Sequence, residues 1–107
     1  FGPQQIITTV LMGPSSVFAA DFDGDGDLAV ASASADDNRI AWYENRDGNG
    51  FFGARRTITT NASSARSVFA ADLDGDGLVD ILSASSQDDA IAWYENFVEF
   101  PVGFLAY

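Results

Sequence analysis

Asp72-Leu73-Asp74-Gly75-Asp76-Gly77-Leu78-Val79-Asp80 sets carboxylates on alternate residues with glycines between them, and the pattern recurs at Asp21-Phe22-Asp23-Gly24-Asp25-Gly26-Asp27-Leu28-Ala29. Like charges a few ångströms apart repel and each loses hydration, so such a run demands neutralisation. A hard cation supplies it. Ca²⁺ takes roughly six to eight oxygens from carboxylates, backbone carbonyls and water, and a glycine-tightened turn can wrap alternate Asp side chains around it. A pair of solvated acidic turns is the plainer alternative, because Asp-Gly turns are common in β proteins. Strict alternation of three Asp, twice over in one context, favours the metal.

The rest of the composition narrows the chemistry. The 107 residues include no Cys and no His, and all five basic residues are Arg. Disulfides, thiolate metal sites, the usual zinc ligands and Ser-His-Asp or Cys-His catalysis are therefore absent from the repertoire. A net charge of -11 argues against nucleic acid or an anionic membrane surface as partner, since both need a basic patch. Eight of the sixteen acidic residues lie in the two loops, so two Ca²⁺ would bring the formal charge to -7. A hydrophobic content of 47% with nine Phe excludes a disordered acidic tail. The apolar runs are short and broken by Gly, Asp and Asn, so no membrane insertion is expected, and no signal-peptide pattern opens the chain. A start on Phe-Gly-Pro without Met reads as a mature or excised piece.

Self-comparison organises the chain. A shift of 51 residues superposes Ser16-Val17-Phe18-Ala19-Ala20-Asp21 on Ser67-Val68-Phe69-Ala70-Ala71-Asp72 and Ile40-Ala41-Trp42-Tyr43-Glu44-Asn45 on Ile91-Ala92-Trp93-Tyr94-Glu95-Asn96; in all, 25 of the first 45 positions are identical. Residues 1–96 are thus two tandem repeats, 1–45 and 52–96, and 97–107 form a divergent tail. Each repeat reads as four strands: a half-polar edge strand over 52–60, a strand over 67–73 apolar on both faces and so expected to be buried on both, a small-residue strand over 79–86, and an aromatic one over 90–96. Asp36-Asp37-Asn38, Gln87-Asp88-Asp89 and Asp47-Gly48-Asn49-Gly50 are turn chemistry.

Four strands in about 50 residues, repeated, with both faces wanting burial, predict an all-β fold of two four-stranded antiparallel β-propeller blades. Small Ala and Ser on the inner strands suit a wedge narrow at an axis. Propellers close with roughly four to eight blades, so two blades are a partial propeller completed by missing repeats or by oligomerisation. Residues 1–9 match the edge strand 52–60 and are expected to be a strand without a sheet of their own. In a head-to-tail homo-oligomer they would cap the open sheet of a neighbouring copy. The tail, with Phe97, Phe100, Phe104 and Tyr107, reads either as a substitute outer strand or as an effect of truncation.

Phe-Gly at the head of each repeat, Asp-x-Asp-Gly-Asp-Gly after an apolar strand and Ile-Ala-Trp-Tyr-Glu-Asn at the close together resemble the FG-GAP/VCBS repeats, seen in integrin α-subunit propellers, bacterial surface proteins and some lectins. The resemblance covers residues 1–96. It implies a calcium-braced β-propeller serving as a binding scaffold, secreted or on the cell surface. Carried over position by position, it implies side-chain ligands at Asp72, Asp74, Asp76 and Asp80 with a backbone carbonyl from Leu78. In the first loop Asp21, Asp23 and Asp25 match, Asp27 stands at the carbonyl position, and Ala29 replaces the last Asp, so weaker binding is expected there. An EF-hand is the competing calcium motif, but Ser83 and Ser32 stand where it needs a bidentate Glu, and the flanks are β-branched and aromatic.

The ligand surface is expected at the end of the sheets opposite the Asp loops, where the repeats differ most, with Asn38, Arg39, Arg66 and Gln87 as polar candidates; drift in unconstrained loops is the plain alternative. Trp42 and Trp93 invite sugar stacking, although their regular recurrence suits core packing better. Identical Glu44 and Glu95 in identical repeats provide no asymmetric acid pair, so no enzyme is expected. The functional expectation is a carbohydrate-binding, lectin-like module, the alternative a protein-adhesion or structural propeller fragment like that of integrin α-subunits.

Overall fold

The computed structural model describes residues 1–97 and 103–106, with Phe97 and 103–106 described by their backbone alone. Eight strands run in chain order: β1 Pro14–Ala20, β2 Ala29–Ser34, β3 Arg39–Tyr43, β4 Arg56–Thr59, β5 Ala65–Ala71, β6 Asp80–Ser85, β7 Ala90–Phe97 and β8 Gly103–Ala106. They form two four-stranded antiparallel sheets, β1-β2-β3-β4 and β5-β6-β7-β8, each a simple meander. No helix occurs among the described residues. The fold is all-β, as the alternating pattern and short connections require.

Equivalent elements form in the same register. Phe18 pairs with Ala31 and Phe69 with Leu82, while Ala31 faces Trp42 across the next pair and Leu82 faces Trp93. The β2–β3 and β6–β7 turns share one device. The hydroxyls of Ser34 and Ser85 donate to Asp37 and Asp88, and Asn38 and Asp89 take positive φ of 56° and 52°. Asn and Asp tolerate that conformation because their short polar side chains bond locally.

The core lies between the sheets. One face of the first sheet contributes Ala31, Ala33, Ile40 and Trp42, with Phe18 partly buried beside them; one face of the second contributes Val68, Ala70, Ile81 and Tyr94. Small Ala on β2 lets the sheets approach beside the larger Ile40, Trp42 and Tyr94. Phe22 meets Trp42 edge-on with ring centroids 6.2 Å apart, and the Arg56 guanidinium lies 5.1 Å from the Trp42 ring centroid. Such ring contacts add about 0.5–1.5 kcal/mol each to area burial. A register shift between Pro14 and Ser16 leaves Ser15 extra in β1, and its hydroxyl donates to Ala65 O across the sheets at 2.7 Å. The bulge thereby aims a side chain at the neighbour.

Three expectations need correction. The strand over 67–73 is buried on one face only: Val68 and Ala70 are inside, whereas Phe69, whose ring meets that of Phe18 at 4.5 Å, and Leu73 are exposed, because among the described residues the first sheet packs on the Val68 face alone. Residues 1–9 form no strand, unlike 52–60, which turns back from β3 through the Asn45–Phe52 bridge into β4. The fourth place in the second sheet goes instead to β8, which pairs Tyr94 with Ala106 and Phe97 with Gly103. The reading of the tail as a substitute outer strand is therefore the one realised. The edge expected to receive a neighbouring copy's leading strand is taken.

Candidate metal centre

Both Asp loops connect the first strand of a sheet to the second, β1 to β2 and β5 to β6, at the same end of the molecule. Each winds around its first carboxylate. Asp21 accepts from Gly24 N at 2.9 Å and Gly26 N at 3.0 Å, and Asp72 from Gly75 N and Gly77 N, both at 2.9 Å. The next two carboxylates each accept from the amide two residues on: Asp25 N on Asp23, Asp27 N on Asp25, Asp76 N on Asp74 and Leu78 N on Asp76. The glycines take φ between 75° and 88°, open to glycine at no steric cost. The loops are thus preshaped, with the carboxylates drawn inward by their own backbone.

The first loop brings Asp21, Asp23 and Asp25 together, one oxygen from each lying within 4.8 Å of the others. Asp27, expected to serve through its carbonyl, keeps its side chain outside this group, against Gly48, where a Cβ would come within 2.5 Å of its Oδ1. The second loop makes two overlapping groups on the same criterion, Asp72-Asp74-Asp80 and Asp74-Asp76-Glu95. Leu78 sits in this loop as expected. Asp80 is 0% exposed and accepts from Leu73 N at 2.9 Å and Asn96 N at 2.8 Å, so it ties the loop to β7 as well as facing Asp72 and Asp74.

Glu95 is the ligand candidate that sequence reading missed. Its counterpart Glu44 lies 3.6 Å from both Arg46 Nε and Arg56 Nη2. Arg46 corresponds to Phe97 and Arg56 to Tyr107, so the second repeat has no Arg at either position, and Glu95 joins the Asp cluster. The signal was present in the sequence as the break in the repeat after Asn96.

The clusters strain against their own charge. Burial and the neighbouring Asp25 carboxylate push Asp23 up to about 6. Asp74 is likewise pushed up to about 6, by loss of hydration together with Glu95 and Asp76. All-oxygen carboxylate donor sets at this spacing suit a hard divalent cation, which would replace the shared protons.

The expected ligand candidates fare unevenly. Asn38 is structural: its Oδ1 accepts from Ser64 N at 2.9 Å and its carbonyl from Ala62 N at 3.1 Å, joining the sheets. Arg39 is engaged with Asp37 at 3.2 Å and with the Thr57 hydroxyl. Arg66 and Gln87 remain exposed at that end, Arg66 donating to Ser86 Oγ. Trp42 is buried between the sheets and offers no sugar platform, whereas Trp93 is half-buried on the outer face of the second sheet. Asn96, also unforeseen, is a buried node: its Nδ2 donates to Phe22 O in the first loop at 2.6 Å and to Val79 O at 3.0 Å.

Fold and site together define a tandem repeat of four-stranded antiparallel sheets, each carrying an acidic loop fit for a metal ion. The FG-GAP-like repeat model matches residues 21–83, and the chain belongs to that family. Comparison with curated proteins and with solved structures gives no match.

Proposed function

We propose that this chain is a calcium-braced pair of β-propeller-type blades acting as a non-catalytic binding scaffold outside the cell. The observation that carries the reading is the second loop, where Asp72, Asp74 and Asp80 form one group and Asp74, Asp76 and Glu95 another, sharing Asp74, while Asp80 also fastens the loop to β7. An ion there links β5, β6 and β7 and offsets the loss of hydration that, with Glu95 and Asp76 beside it, raises Asp74. Loops of this kind suit a calcium-rich compartment, since extracellular modules work with Kd on the order of 10⁻⁴ to 10⁻³ M. No helix among the described residues is long and apolar enough to cross a membrane, which fits attachment or secretion by other means. Catalysis finds no support in a chain without His or Cys whose Glu44 is held by two Arg.

Calcium that binds only the folded state stabilises it by about 2.7 kcal/mol at a hundredfold excess over Kd. For a chain of this size that corresponds to roughly 10 to 20 °C in Tm. Thermal denaturation in calcium and in EDTA measures it, and identical melting curves would refute the brace. Calorimetric titration should resolve two unequal sites, with the first loop the weaker.

For the ligand, Arg66 and Gln87 at the end opposite the Asp loops support a carbohydrate. The burial of Trp42 favours the second reading, adhesion to an extracellular protein without sugar. A glycan array probed with and without calcium separates them.

A further inference from the structure

The interface between the two sheets is half of a pattern that the chain can repeat. Inside the molecule, Phe18, Ala31, Ile40 and Trp42 of the first sheet share a core with Val68, Ile81 and Tyr94 of the second, on whose packed face Ser83 also lies. A shift of 51 residues carries the first set onto Phe69, Leu82, Ile91 and Trp93, which lie on the outer face of the second sheet. The reverse shift carries the second set onto Val17, Val30, Ser32 and Tyr43, on the outer face of the first. Six of these eight counterparts are identical in type. The two exceptions change volume in opposite senses, Leu82 being larger than Ala31 and Val30 smaller than Ile81.

Both outer faces carry the marks of an unfinished interface. On the second sheet Ile91 is 77% exposed and Phe69 53%, and Leu73, Leu82, Ile91 and Trp93 line one shallow hollow. On the first, Val17 is 67% exposed, and a cavity of about 620 Å³ separates Val17, Val30, Ser32 and Tyr43 from the segment Gln4 to Thr9. Within that cavity lie the Ser32 and Tyr43 hydroxyls, buried and without a hydrogen-bond partner among the described residues. Their counterparts, Ser83 and Tyr94, bond to each other at 3.3 Å beneath the first sheet. A buried hydroxyl left unpaired costs about 1–3 kcal/mol, so the matched pair marks a face packed on a partner sheet and the orphaned pair a face covered by the segment Gln4 to Thr9 without satisfying its polar groups.

We infer that the occupant is a second copy of this chain: the Phe69-Leu82-Ile91-Trp93 face of one copy packs on the Val17-Val30-Ser32-Tyr43 face of the next, repeating the internal sheet-to-sheet contact. The contact is head-to-tail, so each copy keeps one face of each kind for further copies. The segment Gln4 to Thr9, in which Ile6 is 66% exposed, moves aside to admit the partner. This inference rests on the two sheets being successive blades but not on calcium, so the mass measurement and the calcium titration fail separately.

Light scattering of the full chain, in calcium and in EDTA, tests it. The expected mass exceeds 11.4 kDa and rises with concentration. Ile91→Lys and Val17→Lys, both at exposed positions that leave the internal core untouched, should each give an 11.4 kDa monomer with an unchanged circular dichroism spectrum. Mixed in equal amounts, the two variants retain one intact face of each kind and should form a dimer and nothing larger. A wild-type monomer at all concentrations, variants that still assemble, or a mixture that stays monomeric would overturn the contact.

Discussion

The two Asp loops make the same four internal hydrogen bonds at lengths that agree to within a tenth of an ångström, yet they face different surroundings. In the first, Phe22 is 1% exposed and packs on Trp42; in the second, Leu73 at the same position is 46% exposed. In the first, the loop's last position is Ala29, buried in the core; in the second it is Asp80, buried and bonded to two backbone amides. The first loop is thus fastened by apolar packing and the second by a carboxylate. The lesson is that a repeated metal loop needs an anchor to its sheet, and that the anchor need not repeat.

The sharpest way to break this comparison is Asp80→Ala. Removal leaves the Leu73 and Asn96 amides without their acceptor, and hydrogen bonds to a charged group are worth about 1.5–3 kcal/mol each. A loss of at least 3 kcal/mol, about 12 °C or more in Tm, is expected in chemical and thermal denaturation even without calcium. A variant as stable as the parent in EDTA would show that Asp80 serves the ion alone.

A second test compares Glu95→Gln with Glu44→Gln. Calcium affinity at the second loop should fall about tenfold in the first variant and stay unchanged in the second, because Glu44 faces Arg46 and Arg56 rather than the cluster. Equal effects in a calorimetric titration would erase the distinction between the loops.

The smallest expected effect is on pH dependence. Asp23 and Asp74 bind protons more readily folded than unfolded, their values rising to about 6 from an ordinary 3.8. The stabilisation they provide is complete below the unfolded value and is lost as pH rises through about 6. The calcium-free protein should therefore melt higher at pH 5 than at pH 7, and saturating calcium should flatten or reverse that slope. A calcium-free protein less stable at pH 5 would mean that other carboxylates dominate.

Much of this was legible in the sequence because it depended on local chemistry. Alternating Asp and Gly, turn residues at fixed offsets and a period of 51 fix the loops, the hairpins and the meander without reference to distant parts. The sites were less complete. Glu95 is remote in sequence from Asp74, and the change that sets it apart from Glu44, Phe97 and Tyr107 standing in place of Arg46 and Arg56, is one that no motif records. Asn38 and Arg39 read as free polar groups until the second repeat docked its 62–64 turn on Asn38 and β4 placed Thr57 beside Arg39. Burial of the strand over 67–73 failed for the same reason: composition shows what a face would bury, and only a neighbour makes it buried.

Sequence alone settled β1 to β7 and their order within each sheet, the placement of carboxylates in the loops and the family, since each follows from residues close along the chain or from the repeat, whereas the strand expected over 1–9 and the fate of the tail did not follow from it. Tertiary structure decided which equivalent residues diverge in role. Trp42 is covered and Trp93 is half-covered, Tyr43 is orphaned and Tyr94 paired, although each pair is identical in sequence context. The physical reason is that equivalent faces meet different neighbours: the Trp42 face of the first sheet packs on the Tyr94 face of the second, while Tyr43 lies under the segment Gln4 to Thr9.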